Sequence, residues 1–206
     1  MPSELPERAR VVVVGGGVIG ASVAYHLAHL GWSDVLLLER AKLTSGSTWH
    51  AAGEIVSGGL TNETLAWMAL YTRQLYERLE AETGLSTGFR PVGYIQTGAR
   101  PARIDKLRRE ADFLRRVGIE RHEISPAEVR RLFPIWEDEE LIAGFYTPEE
   151  GRADPANCAL SLAKGARMLG AGIVEDTPVT GFDVRRGRVT RVRTGAGDIE
   201  CDYVVN

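Results

Sequence analysis

Cysteine is almost missing from this chain. Cys158 and Cys201 are the only two in 206 residues, and they stand far apart in no CxxC or other metal-ligand spacing. A disulfide framework is therefore not expected, and both residues read as small buried or half-buried side chains. Histidine is nearly as scarce, with His26, His29, His50 and His122 scattered, so no metal site is expected. No apolar run reaches the roughly 18 residues that a membrane-spanning helix needs. Excess positive charge is also lacking. The net charge is -3, and the basic cluster Arg108, Arg109, Arg115 and Arg116 is interrupted by Glu110 and Asp112 in the manner of a helix's wet face. Nucleic acid is thus not the expected partner. The opening run Met1 to Arg10 is short and polar and leads at once into a strand, which resembles neither a signal peptide nor a transit segment. A cytoplasmic location is the resulting expectation.

What remains is ordinary globular material: 44% hydrophobic and 26% charged residues, which removes disorder from consideration. The length suits one large domain, or a nucleotide-binding domain with a smaller appendage. Glycine is enriched locally, at Gly15, Gly16, Gly17, Gly20, Gly53, Gly58 and Gly59. Arg10 to Val14 is continuously apolar after its first residue and reads as a buried parallel strand. Val18 to Leu30 has helical spacing and Gly31 as its stop, and Val35 to Leu38 is a second strand ending on Glu39. Residues 10 to 39 therefore form a βαβ unit.

Beyond it, a helix is expected from Thr61 or Asn62 to Thr83, its apolar stripe being Leu65, Met68, Ala69, Tyr76 and Leu79. Arg90 to Thr97 alternates like a strand. Pro101 to Val117 and the stretch after Ser125, which has capping-box spacing with Glu128, read as helices. Leu141 to Tyr146 reads as a strand. Asp154-Pro155 opens a helix to Leu169. Gly172 to Glu175, the hairpin Val179–Val184 with Arg188–Arg193, and Ile199 to Val205 complete a return to strands. Residues 85 to 148 lack the βα rhythm and look inserted. The abrupt end after Val205 is expected of a fragment of a longer fold.

Gly15-x-Gly17-x-x-Gly20 stands between strand and helix, where a dinucleotide fingerprint demands it. Gly15 permits the turn, Gly17 admits a pyrophosphate close to the backbone, and Gly20 lets helix and strand pack closely. Glu39 follows at roughly the 20-residue distance expected of a ribose-binding acid. Arg40 beside it would suit a 2′-phosphate, which the acid repels. These features bind the ADP half shared by FAD and NAD and do not choose between them.

The next segment, Thr44-Ser-Gly-Ser-Thr-Trp-His-Ala-Ala-Gly53, resembles the dimethylglycine and sarcosine dehydrogenase family, within the wider D-amino-acid-oxidase-like flavoproteins. Arg90-Pro-Val-Gly-Tyr-Ile, Ile124-Ser-Pro-Ala-Glu, Asp154-Pro155 and Ala163-Lys-Gly-Ala166 share the resemblance, which extends over residues 10 to 206. It implies an α/β fold: a Rossmann-like FAD-binding domain (segments 1–84 and 149–206) with an inserted or partial α+β substrate or cap region at 85–148. It further implies FAD bound covalently through His50 to the flavin 8α-methyl carbon. Ser45, Ser47 and Thr48 would lie on the diphosphate or flavin side, and Val179 would present its backbone to adenine. The reaction implied is oxidation of the C–N bond of a secondary or tertiary amino acid such as sarcosine or dimethylglycine, with hydride passing to flavin N5. The partners implied are a small N-methylated amino acid and an electron-transfer protein or dioxygen as acceptor. A noncatalytic regulatory subunit on the same scaffold is the alternative, and an NAD-dependent oxidoreductase a weaker one. No residue is assigned a catalytic role. Tyr94 and Arg90 are candidates to approach substrate, with His122 and Trp136 behind them, and Trp49 packs either on the cofactor or in the core. Glu54 departs from the family's usual apolar residue after Ala-Ala-Gly.

Overall fold

The computed structural model describes residues 5–137 and 139–206; Met1 to Glu4 of the opening polar run, and Asp138, lie outside them. In chain order the elements are β1 (Arg8–Val14), α1 (Val18–His29), β2 (Val35–Leu38), a 3-10 turn (Thr48–His50), β3 (Glu54–Ile55) and α2 (Glu63–Thr83). These are followed by β4 (Tyr94–Gly98), α3 (Pro101–Arg116), β5 (His122–Ile124), α4 (Pro126–Leu132), β6 (Ala143–Thr147) and β7 (Gly151–Arg152). The chain finishes with α5 (Pro155–Met168), β8 (Gly172–Val174), β9 (Val179–Arg185), β10 (Arg188–Thr194) and β11 (Gly197–Val205). They form two compact units, one of residues 1–52, 78–88 and 154–206, the other of residues 53–77 and 89–153.

The first unit is built on a six-stranded sheet in the order β8-β2-β1-β11-β10-β9. β8, β2, β1 and β11 run parallel, while β11, β10 and β9 form an antiparallel meander. Parallel strands are covered on both faces, which is why the valine and leucine runs are continuous rather than alternating: Val11, Val12, Val13 and all of β2 are buried. Ala9, Val12, Leu36, Leu38, Val192, Ile199 and Cys201 share one core cluster. The hairpin turn falls at Arg186 and Gly187, both with positive φ, as a two-residue turn between twisted strands requires. Asp154 caps α5 by accepting the Asn157 N–H at 2.9 Å. Cys158 and Cys201 are buried and joined in no disulfide.

The second unit carries an antiparallel sheet ordered β4-β6-β5 and the short ribbon β3-β7. α3 lays Ile104, Leu107 and Ala111 on Ala143 and Phe145 of β6. Ser125 and Glu128 form the expected capping box at α4. Two expectations need correction. Arg90 to Thr97 is a strand only from Tyr94, because the Val92 N–H turns back to the Arg90 carbonyl at 2.9 Å, Gly93 has φ +82° and Arg90 instead bridges Arg152. The stripe of α2 holds at Leu79 but not at its start: Leu65 and Met68 are 50% and 59% exposed, whereas Ala66, Leu75 and Thr83 join Leu79 in the buried face. Among the described residues no helix is long and apolar enough to cross a membrane.

The corrected stripe predicts unequal costs for two truncations on one helix. Leu75→Ala should destabilise by about 2–5 kcal/mol through the cavity it leaves, and Met68→Ala by no more than about 0.5 kcal/mol. Denaturant unfolding of the two variants checks this.

Candidate functional site

The glycine turn and the segment after β2 meet in the first unit. Gly15 leaves β1 with φ +108° and donates its N–H to the Leu38 carbonyl at 2.8 Å. Gly20 lies so close to that turn that a Cβ there would fall inside the van der Waals envelope of the Gly15 carbonyl oxygen. Glu39 is buried at 9% exposure and holds the turn by its carboxylate. One oxygen accepts the Gly16 N–H at 2.6 Å and the other the Ala41 N–H at 2.9 Å. A carboxylate offers about four acceptor sites, so capacity remains for hydroxyl groups of a ligand.

Thr48 plays a part that its position in the sequence does not reveal. α1 begins after Gly17, which has no side chain to cap it, and the Thr48 hydroxyl supplies the missing acceptor to the Val18 N–H at 3.0 Å. Because that oxygen accepts, its own proton stays available to a ligand oxygen. The loop carrying Thr48 is fastened by backbone bonds. The Thr44 N–H donates to the Gly16 carbonyl at 3.0 Å, and Thr44 is held at φ +68°, a costly conformation for a β-branched residue. The Leu43 N–H donates to Glu175 at 2.6 Å, and Lys42 pairs with Asp176 at 2.6 Å. Glu175 and Asp176 were not foreseen, since nothing local marks an acid that acts across the fold.

These elements enclose a cleft of about 680 Å³. Of the ten residues expected at a cofactor, Gly15, Gly17, Gly20, Glu39, Arg40, Ser47, Thr48 and Val179 line it. Ser45 and His50 do not; both are exposed on the adjoining loop. The His50 ring lies 3.7 Å, centroid to centroid, from the Trp49 ring, and Trp49 is 57% exposed, which removes core packing as its role. Thr177, Pro178, Val205 and Asn206 also line the cleft, contributed by strand ends that only the sheet brings there. A side-chain-free turn, a helix N-terminus and a buried carboxylate with spare acceptors together suit a nucleoside diphosphate.

The second unit holds a buried charge cluster that no motif announced. Arg121, with a fully buried side chain, donates to Glu110 at 2.7 Å, Gln96 at 3.0 Å and Thr147 at 3.0 Å. Glu110 also accepts the Gly59 N–H at 2.5 Å. Glu150 accepts from the Ser57 N–H at 2.7 Å and from the Ser57 hydroxyl, and approaches Arg121 only to 3.8 Å. Burial pushes the Glu150 carboxyl above the usual range, against the opposing pull of Ser57, Arg121 and Arg73. The weaker substrate candidates are dispersed. The Tyr94 hydroxyl meets Gln96 at 3.5 Å, the exposed Arg90 guanidinium donates to the Phe89 carbonyl at 3.4 Å, and His122 is exposed on β5. The ring of Trp136 tilts against Phe133. Glu54 sits in the β3-β7 ribbon.

Residues 10–206 match the family described as FAD dependent oxidoreductase. Over 202 residues the chain is 41% identical to the mitochondrial pyruvate dehydrogenase phosphatase regulatory subunit of Mus musculus, covering 98% of this chain and 23% of that protein. It is 39% identical over 209 residues to the mitochondrial sarcosine dehydrogenase of Homo sapiens, covering 98% and 22%. Among solved structures, L-proline dehydrogenase from P. horikoshii superposes with a TM-score of 0.89 at 29% identity, covering 98% of this chain and 53% of that one. The chain thus spans under a quarter of the length of these curated relatives. The choice between FAD and NAD, open on the glycine turn alone, falls to FAD. The expected cytoplasmic location is overturned, because these relatives and the dimethylglycine dehydrogenases alike are mitochondrial proteins. The expectation rested on the short polar run Met1 to Arg10, and ten residues of that kind do not decide a compartment.

Substitutions at two residues test the geometry. Thr48→Val leaves the Val18 N–H without its acceptor and should cost about 1–3 kcal/mol, whereas Thr48→Ser keeps the bond and should stay within about 0.5 kcal/mol; denaturant unfolding separates them. Glu150→Gln tests the raised carboxyl. The folded state binds this proton more tightly than the unfolded chain does. Wild-type stability should therefore fall, relative to the variant, as pH rises from the ordinary glutamate value of about 4.3 through the higher native one. Parallel pH–stability curves for the two proteins would contradict this.

Proposed function

The chain belongs to the family of FAD-dependent oxidoreductases, and from that premise we propose that it forms the cofactor-holding part of an amine-oxidising flavoenzyme. Its substrate would be a secondary or tertiary amino acid such as sarcosine or dimethylglycine, oxidised at the C–N bond. The observation that carries this reading is the cleft itself: the glycine turn, Glu39 and the Thr44–His50 loop border a single space in the first unit. In this reading Glu39 accepts the ribose hydroxyls with its remaining lone pairs. The N-terminus of α1, with Gly15, Gly17 and Gly20, receives the diphosphate. The Thr48 hydroxyl donates to a diphosphate oxygen while accepting from Val18. Ser45 and Ser47 extend that polar side, Arg40 flanks the ribose, and the backbone of Val179 meets adenine. His50, exposed on the loop next to the cleft, would tether the flavin through its 8α-methyl carbon, an imidazole nitrogen taking the place of one hydrogen there, which leaves as a proton while its electron pair passes to the acceptor that also serves turnover. When bound, the flavin would supply the two-electron oxidation of the C–N bond, and this chain's residues would hold its ADP half. An electron-transfer protein or dioxygen would take the electrons onward. No residue of this chain is assigned an acid–base role.

A second reading is favoured by the 41% identity to a regulatory subunit: a noncatalytic flavoprotein scaffold with the same cleft. The two readings diverge in one experiment on the protein that carries this chain. Acid precipitation should leave yellow absorbance and an FAD-sized mass increment on the polypeptide, and His50→Ala should remove both. Flavin released entirely into the supernatant would defeat the tether. Bleaching of the flavin by sarcosine or dimethylglycine is expected of the enzyme, and its absence with flavin retained would favour the scaffold.

A further inference from the structure

A second cavity, of about 150 Å³, lies wholly within residues 53–77 and 89–153 and takes no part in the cleft. Its wall is apolar at Ile55, Leu70 and Ile119, and polar at Ser57, Arg73 and Glu150. Two buried atoms of opposite chemistry are left without a hydrogen-bond partner there: Nε of Arg73, a donor, and Oε2 of Glu150, an acceptor. Neighbouring charges do not satisfy them. Arg73 spends Nη1 on Glu149 at 2.6 Å, and Arg121 spends Nη1 on Glu110 at 2.7 Å. Oε1 of Glu150 accepts from Ser57, while Oε2 has only a 3.8 Å approach, too long for a hydrogen bond, to Nη2 of Arg121, a buried donor that itself lacks a hydrogen-bond partner. Of the buried carboxylates Glu110 and Glu150, only Glu110 has a guanidinium nitrogen at hydrogen-bond distance; Glu150 has Nη2 of Arg121 at 3.8 Å. A buried charge so poorly matched is costly unless something completes it.

We propose that this cavity binds a small amino acid as its zwitterion, the ammonium group donating to Glu150 and the carboxylate accepting from Nε of Arg73. An anion alone would face the Glu150 carboxylate, and a simple cation would leave the Arg73 donor unmatched; a zwitterion meets both. The volume admits about five water-sized groups, the bulk of glycine. Ile55, Leu70 and Ile119 cover the carbon skeleton and disfavour a longer polar side chain. The proposal rests on these buried groups and not on the flavin reading, and it assigns no redox step to the site.

Isothermal titration calorimetry of the purified full-length protein with glycine tests it, with methylammonium and acetate as half-ligands. Glycine should bind without altering the flavin spectrum, and each half-ligand should bind at least about tenfold more weakly, one lost charge-assisted contact being worth that or more. Ala69→Leu, which fills the cavity, should abolish binding while leaving the melting temperature and flavin content unchanged. Arg73→Lys, which keeps the charge but not the Nε–H, should weaken it about tenfold. Binding that persists in both variants, heats equal for glycine and its half-ligands, or a crystal structure grown in glycine with ordered water alone between Arg73 and Glu150 would overturn the proposal. A protein that releases all its flavin on acid precipitation yet binds glycine in this pattern would separate this site from the tether.

Discussion

The bond from the Gly16 N–H to the Glu39 carboxylate is the contact on which the first unit's cleft depends. It joins the turn after β1 to the end of β2, and its partner bond to the Ala41 N–H fixes where the chain goes next. Because Glu39 is buried, those donors are not readily replaced by water, and losing them would leave an unmatched carboxylate. From Ala41 the loop is tied down in sequence by Asp176, Glu175 and Gly16 until Thr48 reaches back to cap α1. One acid thus sets the position of the turn, the loop and, through them, the helix N-terminus.

The same logic of buried charge operates differently in the second unit. Arg121 gathers Glu110, Gln96 and Thr147 from three elements, and each is satisfied at hydrogen-bond distance. Such a node fixes α3 against β4 and β6 more specifically than the apolar contacts of Ile104, Leu107 and Ala111 alone. Glu150 is the exception, a carboxylate buried beside charges already committed elsewhere. That mismatch arises from tertiary packing and has no counterpart in the sequence pattern.

Elements whose signals are local could be read directly. β1, α1, β2, α3, α4, α5 and the β9-β10 hairpin lie close to where periodicity, capping residues and the Arg186-Gly187 turn put them. α2 shows the limit. Its length was legible from its glycine stop, but the buried face was not, since Leu65 and Met68 are apolar yet exposed while Ala66 and Thr83 are buried. Which face of a helix is covered depends on what packs there, and α2 passes from one compact unit into the other.

The sequence by itself determined the dinucleotide turn and its acid, because a strand, a glycine turn, a helix and a terminal glutamate act within some thirty residues through local geometry. It also determined the family, through the Thr44–Gly53 string. Only the tertiary structure decided that β11 completes the parallel sheet beside β1, bringing Val205 and Asn206 to the cleft. It alone showed that Thr48 caps α1, that Glu175 anchors the loop, and that Arg121 and Glu150 are buried together. Each of these is a pairing between residues distant along the chain, and its favourable energy exists only after folding has brought the two groups together and removed the water between them.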